Sequence, residues 1–174
     1  MKIVILNGSP TKGGNTDIQV KAFCDGAESA GHITEPLRVA DMNIAPCIGC
    51  GYCKKNGFCV KKDDMSDIYK KVTSADAVVF ASPLYWWGIT AQLKAALDRL
   101  YALTGDGISD KKTALLMNGY DENPFEPSKA QFEIIFDHLH WQNKGFVFVG
   151  NITKKGAMSD SPLIKEVYEF GVNF

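Results

Sequence analysis

The sequence has no apolar run long enough to span a membrane, no basic excess and no internal repeat, and each absence removes a class of function. Nineteen Lys and Arg stand against twenty Asp and Glu, a formal net charge of −1, so no basic face exists to attract nucleic acid and no acidic tail is present. Met1 and Lys2 run straight into the short apolar stretch Ile3 to Leu6, too short for a signal-peptide core, and a cytoplasmic chain is expected. Histidine is scarce. His138 and His140 are two apart on a predicted helix and share no face, His32 falls at a helix-to-strand turn, and no Ser, His and Asp constellation stands out by spacing. Cysteine is scarce too, yet four of the five lie within residues 47–59, a metal or redox pattern in a reducing compartment more than a disulfide framework. With 45% apolar residues, the 174-residue chain is expected to form one domain over 1–174.

What is present centres on residues 7–16, Asn-Gly-Ser-Pro-Thr-Lys-Gly-Gly-Asn-Thr, which join a short apolar strand to a helical pattern. Gly8, Gly13 and Gly14 let the backbone turn and approach a ligand, while Ser9, Thr11, Asn15 and Thr16 offer short polar donors beside Pro10. The free N–H groups of the following helix would add to the attraction for a phosphate. Thr16 and Gln19 fit a capping box that places the helix start there. A Walker loop is excluded because Gly13 is followed by Gly14 and Asn15 where Lys is required. The dinucleotide fingerprint is excluded by Pro10, which stands where its second Gly belongs. A terminal monophosphate on a hydroxyl-rich loop remains, against the plainer alternative of an ordinary strand-to-helix turn.

This loop resembles that of the NADPH-dependent FMN reductase family, flavoproteins of flavodoxin-like fold, from Gly8-Ser9-Pro10 through Gly14-Asn15-Thr16. The resemblance takes in the cysteine cluster, Asp63-Asp64-Met65, Ser82-Pro83-Leu84-Tyr85-Trp86, Gln92-Leu93-Lys94 and Asp98-Arg99, roughly the first 100 residues. Beyond Arg99 only the order of elements matches.

Periodicity along the chain gives alternating strands and helices. Val20, Phe23, Cys24 and Ala27 predict a helix over 16–30 that stops at Gly31, and Cys24 reads as a small core residue. A strand over 33–39 contains Pro36, which cannot donate to a ladder and so belongs at an edge. Met65, Ile68, Tyr69 and Val72 predict the next helix, and residues 77–81 a strand buried on both faces. Leu93, Ala96, Leu97 and Leu100 mark a third helix, 113–117 a fourth strand, Phe132, Ile135, Phe136 and Leu139 a fourth helix, 146–149 a fifth strand, and Ile164, Val167 and Tyr168 a closing helix. Residues 104–112 and 119–128 read as loops. The expected fold is α/β, a flavodoxin-like doubly wound five-stranded parallel sheet in the order 2-1-3-4-5, with ligands at the switch point between strands one and three.

Three aromatics in Pro83-Leu84-Tyr85-Trp86-Trp87-Gly88 occupy a loop that would ordinarily turn with small polar residues. A flat isoalloxazine would cover them; the alternative is that Tyr85 and Trp87 cap the core. Asn118, Gly119 and Tyr120 would form a third wall of the site. Cys47, Cys50, Cys53 and Cys59 are compact enough to wrap one metal centre, and their spacing departs from ferredoxins because the fourth Cys precedes Val60, not Pro. They resemble the motif of iron-sulfur flavoproteins, which hold a 4Fe-4S cluster beside the flavin; free or redox-active thiols and zinc stay open. Lys94 and Arg99 match the family, but a solvated helix face explains them as well.

The resemblance implies an FMN-dependent oxidoreductase in which the flavin carries the chemistry and no side chain need be catalytic. Electrons would come from NAD(P)H or a reduced protein and go to a quinone, flavin, azo or nitro compound, or protein acceptor. The alternative is an iron-sulfur flavoprotein or flavodoxin-like electron carrier without small-molecule turnover. A homodimer is expected, since a flavin at the sheet rim leaves one ring face open and the glycine-rich cysteine segment needs support.

Overall fold

The computed structural model describes residues 1–103, 108 and 110–174. Much of the loop expected over 104–112 thus lies outside the described residues. The elements are β1 (Lys2–Asn7), α1 (Asn15–Ser29), β2 (Ile33–Arg38), α2 (Tyr52–Asn56), α3 (Met65–Ser74), β3 (Ala77–Pro83), α4 (Ala91–Arg99), β4 (Lys112–Asn118), α5 (Glu126–His138), β5 (Gln142–Val149) and α6 (Ile164–Val172). All five strands are parallel, in the order β2-β1-β3-β4-β5, as expected.

Side chains alternate across the pleat, so each central strand feeds two cores. Val4, Leu6, Val78, Phe80, Leu115 and Met117 face α3, α4 and α5, where Phe80 meets Phe132 and Phe136. Ile3, Ile5, Val79, Ala81, Ala114 and Leu116 face α1 and α6. Helices after β1 and β3 therefore lie on opposite faces, and their loops part at the carboxyl rim to leave a cleft. Pro36 sits on the edge strand opposite Ile5, where its missing N–H faces away from the sheet.

Three boundaries differ from the sequence pattern. β5 begins at Gln142, ahead of the apolar run, because β4 pairs with its exposed polar start. α5 begins at Glu126, inside the expected loop, with Pro127 in its first turn, where a missing N–H leaves no bond unmade. The capping box is absent. Gly14 is the N-cap of α1 and no side chain caps it; the Thr16 hydroxyl instead accepts from Asn118 Nδ2 at 2.9 Å.

α6 lies close against α1 through two glycines. A Cβ on Gly26 would run into the Tyr168 carbonyl oxygen, and one on Gly171 into the Phe23 carbonyl oxygen. Alanine ordinarily stabilises an exposed helix over glycine by ~1 kcal/mol. Here Gly171→Ala should instead lower stability by roughly 1–3 kcal/mol, because helix backbone must move to admit the methyl. Thermal unfolding checks the sign, and a raised melting temperature would contradict the packing.

Candidate functional site

The phosphate-loop candidate is braced from three sides. Gly8 N–H donates to the Ala81 carbonyl of the adjacent strand at 2.9 Å, and the Thr90 hydroxyl donates to the Gly8 carbonyl at 2.7 Å. Any Cβ at position 8 would overlap Thr90 Oγ1 and Leu93 Cβ, so glycine there serves packing against the start of α4. Gly13, at φ +61°, takes the left-handed turn, and its N–H donates to Asp17 Oδ2 at 2.7 Å. Asp17 also accepts from Asn7 Nδ2 and from Arg38, which reaches over to donate to the Ser9 carbonyl. Arg38 thus offsets a carboxylate that would otherwise repel an anion at the helix start.

Two hydroxyls at the cleft accept hydrogen bonds from the protein. Ser9 Oγ accepts from the Thr11 N–H at 3.3 Å, and Thr16 Oγ1 accepts from Asn118. Each hydroxyl already receives a protein donor, which leaves its own proton to give. Asn118 also donates to Gln19 Oε1, and Gln19 Nε2 donates to the Met117 and Val147 carbonyls, a buried network joining α1 to the ends of β4 and β5. Gln19 was legible as a polar residue on the buried stripe of α1; its partners were not.

A cavity of about 270 Å³ opens over this network. Ser9, Thr11, Gly14, Asn15, Thr16, Pro83, Leu84, Tyr85, Asn118 and Gly119 line it. Tyr120 of the expected third wall lines it too; Pro10, Trp86, Trp87 and Gly88 lie outside its lining, and residues 152–155 join it unforeseen. Tyr85 and Gly88 exchange backbone hydrogen bonds at 2.9 and 3.0 Å around Trp86 and Trp87, whose φ values are +49° and +57°. Bulky residues in that conformation are strained by ~1–3 kcal/mol each, a cost found where a loop is held for function. Trp86 is 91% exposed and Tyr85 and Trp87 about half, so these rings do not cap the core.

The cysteine segment leaves the carboxyl rim after β2, where Asp41 pairs with Lys12 of the phosphate loop at 3.3 Å. Its neck is pinned by Arg99, which donates to both carboxylate oxygens of Asp63 at 2.8 and 3.0 Å and to the Ala45 carbonyl at 2.8 Å. Asp63 in turn accepts from the Ala45 N–H, so both legs of the segment meet at one ion pair. Arg99 is 2% exposed; the solvated reading holds for Lys94, paired with Asp98 at 2.6 Å, and fails for Arg99. The Arg99 guanidinium holds the Asp63 carboxyl below the usual carboxylate range. Burial pushes Tyr69, whose hydroxyl donates to the Arg99 carbonyl, up to about 12. Within the segment Gly49, Gly51 and Gly57 all take positive φ, Cys47 and Cys50 are exposed, and Cys53 and Cys59 are half-buried. Among the described residues no three Cys, His, Asp or Glu side chains converge on a metal position.

The sequence profile of NADPH-dependent FMN reductases matches residues 1–156. The chain belongs to the NADPH-dependent FMN reductase family. An iron-sulfur flavoprotein of Methanosarcina thermophila is 33% identical over 164 residues, 93% of this chain and 84% of that one. An iron-sulfur flavoprotein of Methanocaldococcus jannaschii is 40% identical over 99 residues, 57% of this chain and 51% of that one, so the match there spans about half of the relative. Among solved structures, an NAD(P)H:quinone oxidoreductase from Methanothermobacter marburgensis superimposes with a TM-score of 0.76 at 17% identity, covering 99% of this chain and 95% of that one. That likeness concerns the fold. This member of the FMN reductase family is an oxidoreductase that uses FMN with NAD(P)H. Among the described residues no helix is long and apolar enough to cross a membrane.

Proposed function

We propose that residues 1–174 form a single FMN-binding unit that takes electrons from NAD(P)H and delivers them to a quinone, free flavin, azo or nitro compound, or a protein acceptor, in the cytoplasm. The observation that carries this reading is the pair of Ser9 and Thr16 hydroxyls, each already bonded by a protein donor and facing one cavity with the uncapped start of α1. A phosphate fits that donor set. Ser9, Thr11, Gly14, Thr16 and the backbone of Asn15 would take the phosphate end, and Pro83, Leu84, Tyr85, Asn118 and Gly119 the ring end. FMN held there would supply the redox chemistry of hydride acceptance and two-electron transfer. The chain's part is to hold the phosphate, to orient the ring against the Tyr85 turn, and to leave one face open to the acceptor. Trp86, Trp87 and Gly88 at the tip of that turn suit a lid over the ring or a contact with a second copy in a homodimer.

A second reading, an iron-sulfur flavoprotein or electron carrier, is favoured by the cysteine segment, whose neck is fixed by a buried ion pair while Ile48 and Phe58 stand exposed on it. A 4Fe-4S cluster would take Cys47, Cys50, Cys53 and Cys59. As folded, the four thiols are not gathered, so they do not form a ready cage and the segment would have to close around the metal.

An absorbance spectrum of protein purified without air, followed by steady-state NAD(P)H oxidation with menadione or FMN, tests both readings. The expected result is a flavin spectrum with one FMN per chain and sustained oxidation. A flavin spectrum with almost no turnover would favour the carrier, and no flavin uptake at all would end the first proposal.

A further inference from the structure

The cations nearest the phosphate loop are already engaged. Lys12 is paired with Asp41, and Arg38 with Asp17 and Asp41. Opposite them, the segment between β5 and α6 brings Lys154 and Lys155 to the lining of the same cavity, and among the described residues neither has a carboxylate partner. This segment is tied down on both sides of the cavity. At its start the Asn151 N–H donates to the Asp121 carbonyl at 3.0 Å and the Ile152 N–H to the Gly119 carbonyl at 2.9 Å. At its end the Asn15 side chain spends both of its groups on it: Nδ2 donates to the Lys154 carbonyl at 2.8 Å, and Oδ1 accepts from the Met158 N–H at 3.2 Å. Asn15 is thus a helix-start residue whose side-chain amide is spent on the segment. Asn151 at φ +59° and Gly156 at φ +87° turn the chain at either end.

We infer that residues 151–158 are a cation-bearing strap across the phosphate end of the cavity, in which Lys154 and Lys155 neutralise the ligand's phosphate and Asn15 is the positioning residue that holds them there. The inference rests on the reading that the cavity takes FMN by its phosphate. A hydroxyl-rich loop supplies hydrogen bonds but no net charge, and the carboxylate of Asp17 lies in the first turn beside it. Two unpaired ammonium groups on the far wall restore the balance and add discrimination for a dianion over the neutral riboflavin.

The test is titration of the flavin-free full chain with FMN and, separately, with riboflavin, by flavin fluorescence at low and high salt. For Lys154→Gln with Lys155→Gln, FMN affinity should fall about tenfold at low salt, lose most of its salt dependence, and leave riboflavin affinity unchanged. Both lysines are exposed, so this variant should fold. Asn15→Ala should produce a smaller loss with the same selectivity, and adding it to the lysine pair should cost nothing more. If the wild type prefers FMN and the lysine pair keeps that preference and its salt dependence, the strap inference falls while the FMN reading stands. If the wild type binds FMN and riboflavin equally, the phosphate reading falls and the strap with it.

Discussion

Arg99→Ala should lower folding stability by about 3 kcal/mol, a drop in melting temperature of roughly 6–12 °C for a chain of this size. The reason is what the substitution leaves behind. Asp63 would keep its charge among buried neighbours with its main donor gone, and the Ala45 carbonyl would lose its partner. Removing one member of a buried pair costs more than the pair contributes over an apolar substitute, so Arg99→Met with Asp63→Leu should recover part of the loss. The pair also carries a pH signature. Folded Asp63 binds a proton less readily than unfolded Asp63, so its contribution is complete above the unfolded carboxylate value of ~3.9 and is withdrawn as pH falls below it. Wild type and Asp63→Asn should therefore converge in stability in acid and diverge above about pH 5. Because both legs of the cysteine segment meet at this pair, Arg99→Ala should also speed labelling of Cys53 and Cys59. A melting temperature within about 2 °C of wild type would contradict the buried-clamp account.

Ser9→Ala with Thr16→Ala should weaken FMN binding by at least tenfold. A hydrogen bond to a charged acceptor contributes ~1.5–3 kcal/mol, and two are removed. Thr16 carries a second duty, since Asn118 donates to it, so the single Ser9→Ala variant, which leaves that acceptor in place, separates ligand loss from damage to the network. Riboflavin serves as the internal control: it has no phosphate, and its affinity should fall far less than that of FMN. Equal losses for the two flavins, or unchanged FMN affinity, would remove the phosphate from this loop.

The architecture was written locally. The unbroken apolar run in β3 announces a strand buried on both faces, Pro36 announces an edge, and the stripes of α1, α3 and α4 follow from spacing over a few residues. The two loops that meet at the cleft follow from strand order alone. What escaped the sequence is held by partners far apart in the chain. Thr16 looked like a cap because Gln19 stood three residues on, but Asn118 is 102 positions away and wins its hydroxyl. Arg99 looked solvated because helices need polar faces; Asp63, 36 positions earlier, draws it inside. Lys154 and Lys155 carry no local signal, since only the fold brings their segment over the start of α1. Trp86 and Trp87 were legible as out of place, while their left-handed backbone was not, because no propensity predicts a strained conformation.

The contact between α1 and α6 also sets an order of events during synthesis. α1 carries the phosphate loop at its start, yet the side of it bearing Phe23 is closed by Phe170 and Phe174, and by backbone against Gly26 and Gly171. On the ribosome, β1, α1 and β2 can emerge while the α6 surface that closes over Phe23 and Gly26 is still to be made. The phosphate-loop candidate is therefore among the earliest segments translated, while the cavity it lines also needs residues 152–155 and is complete only late. Chains truncated before residue 150 should therefore hold FMN more weakly than the full chain.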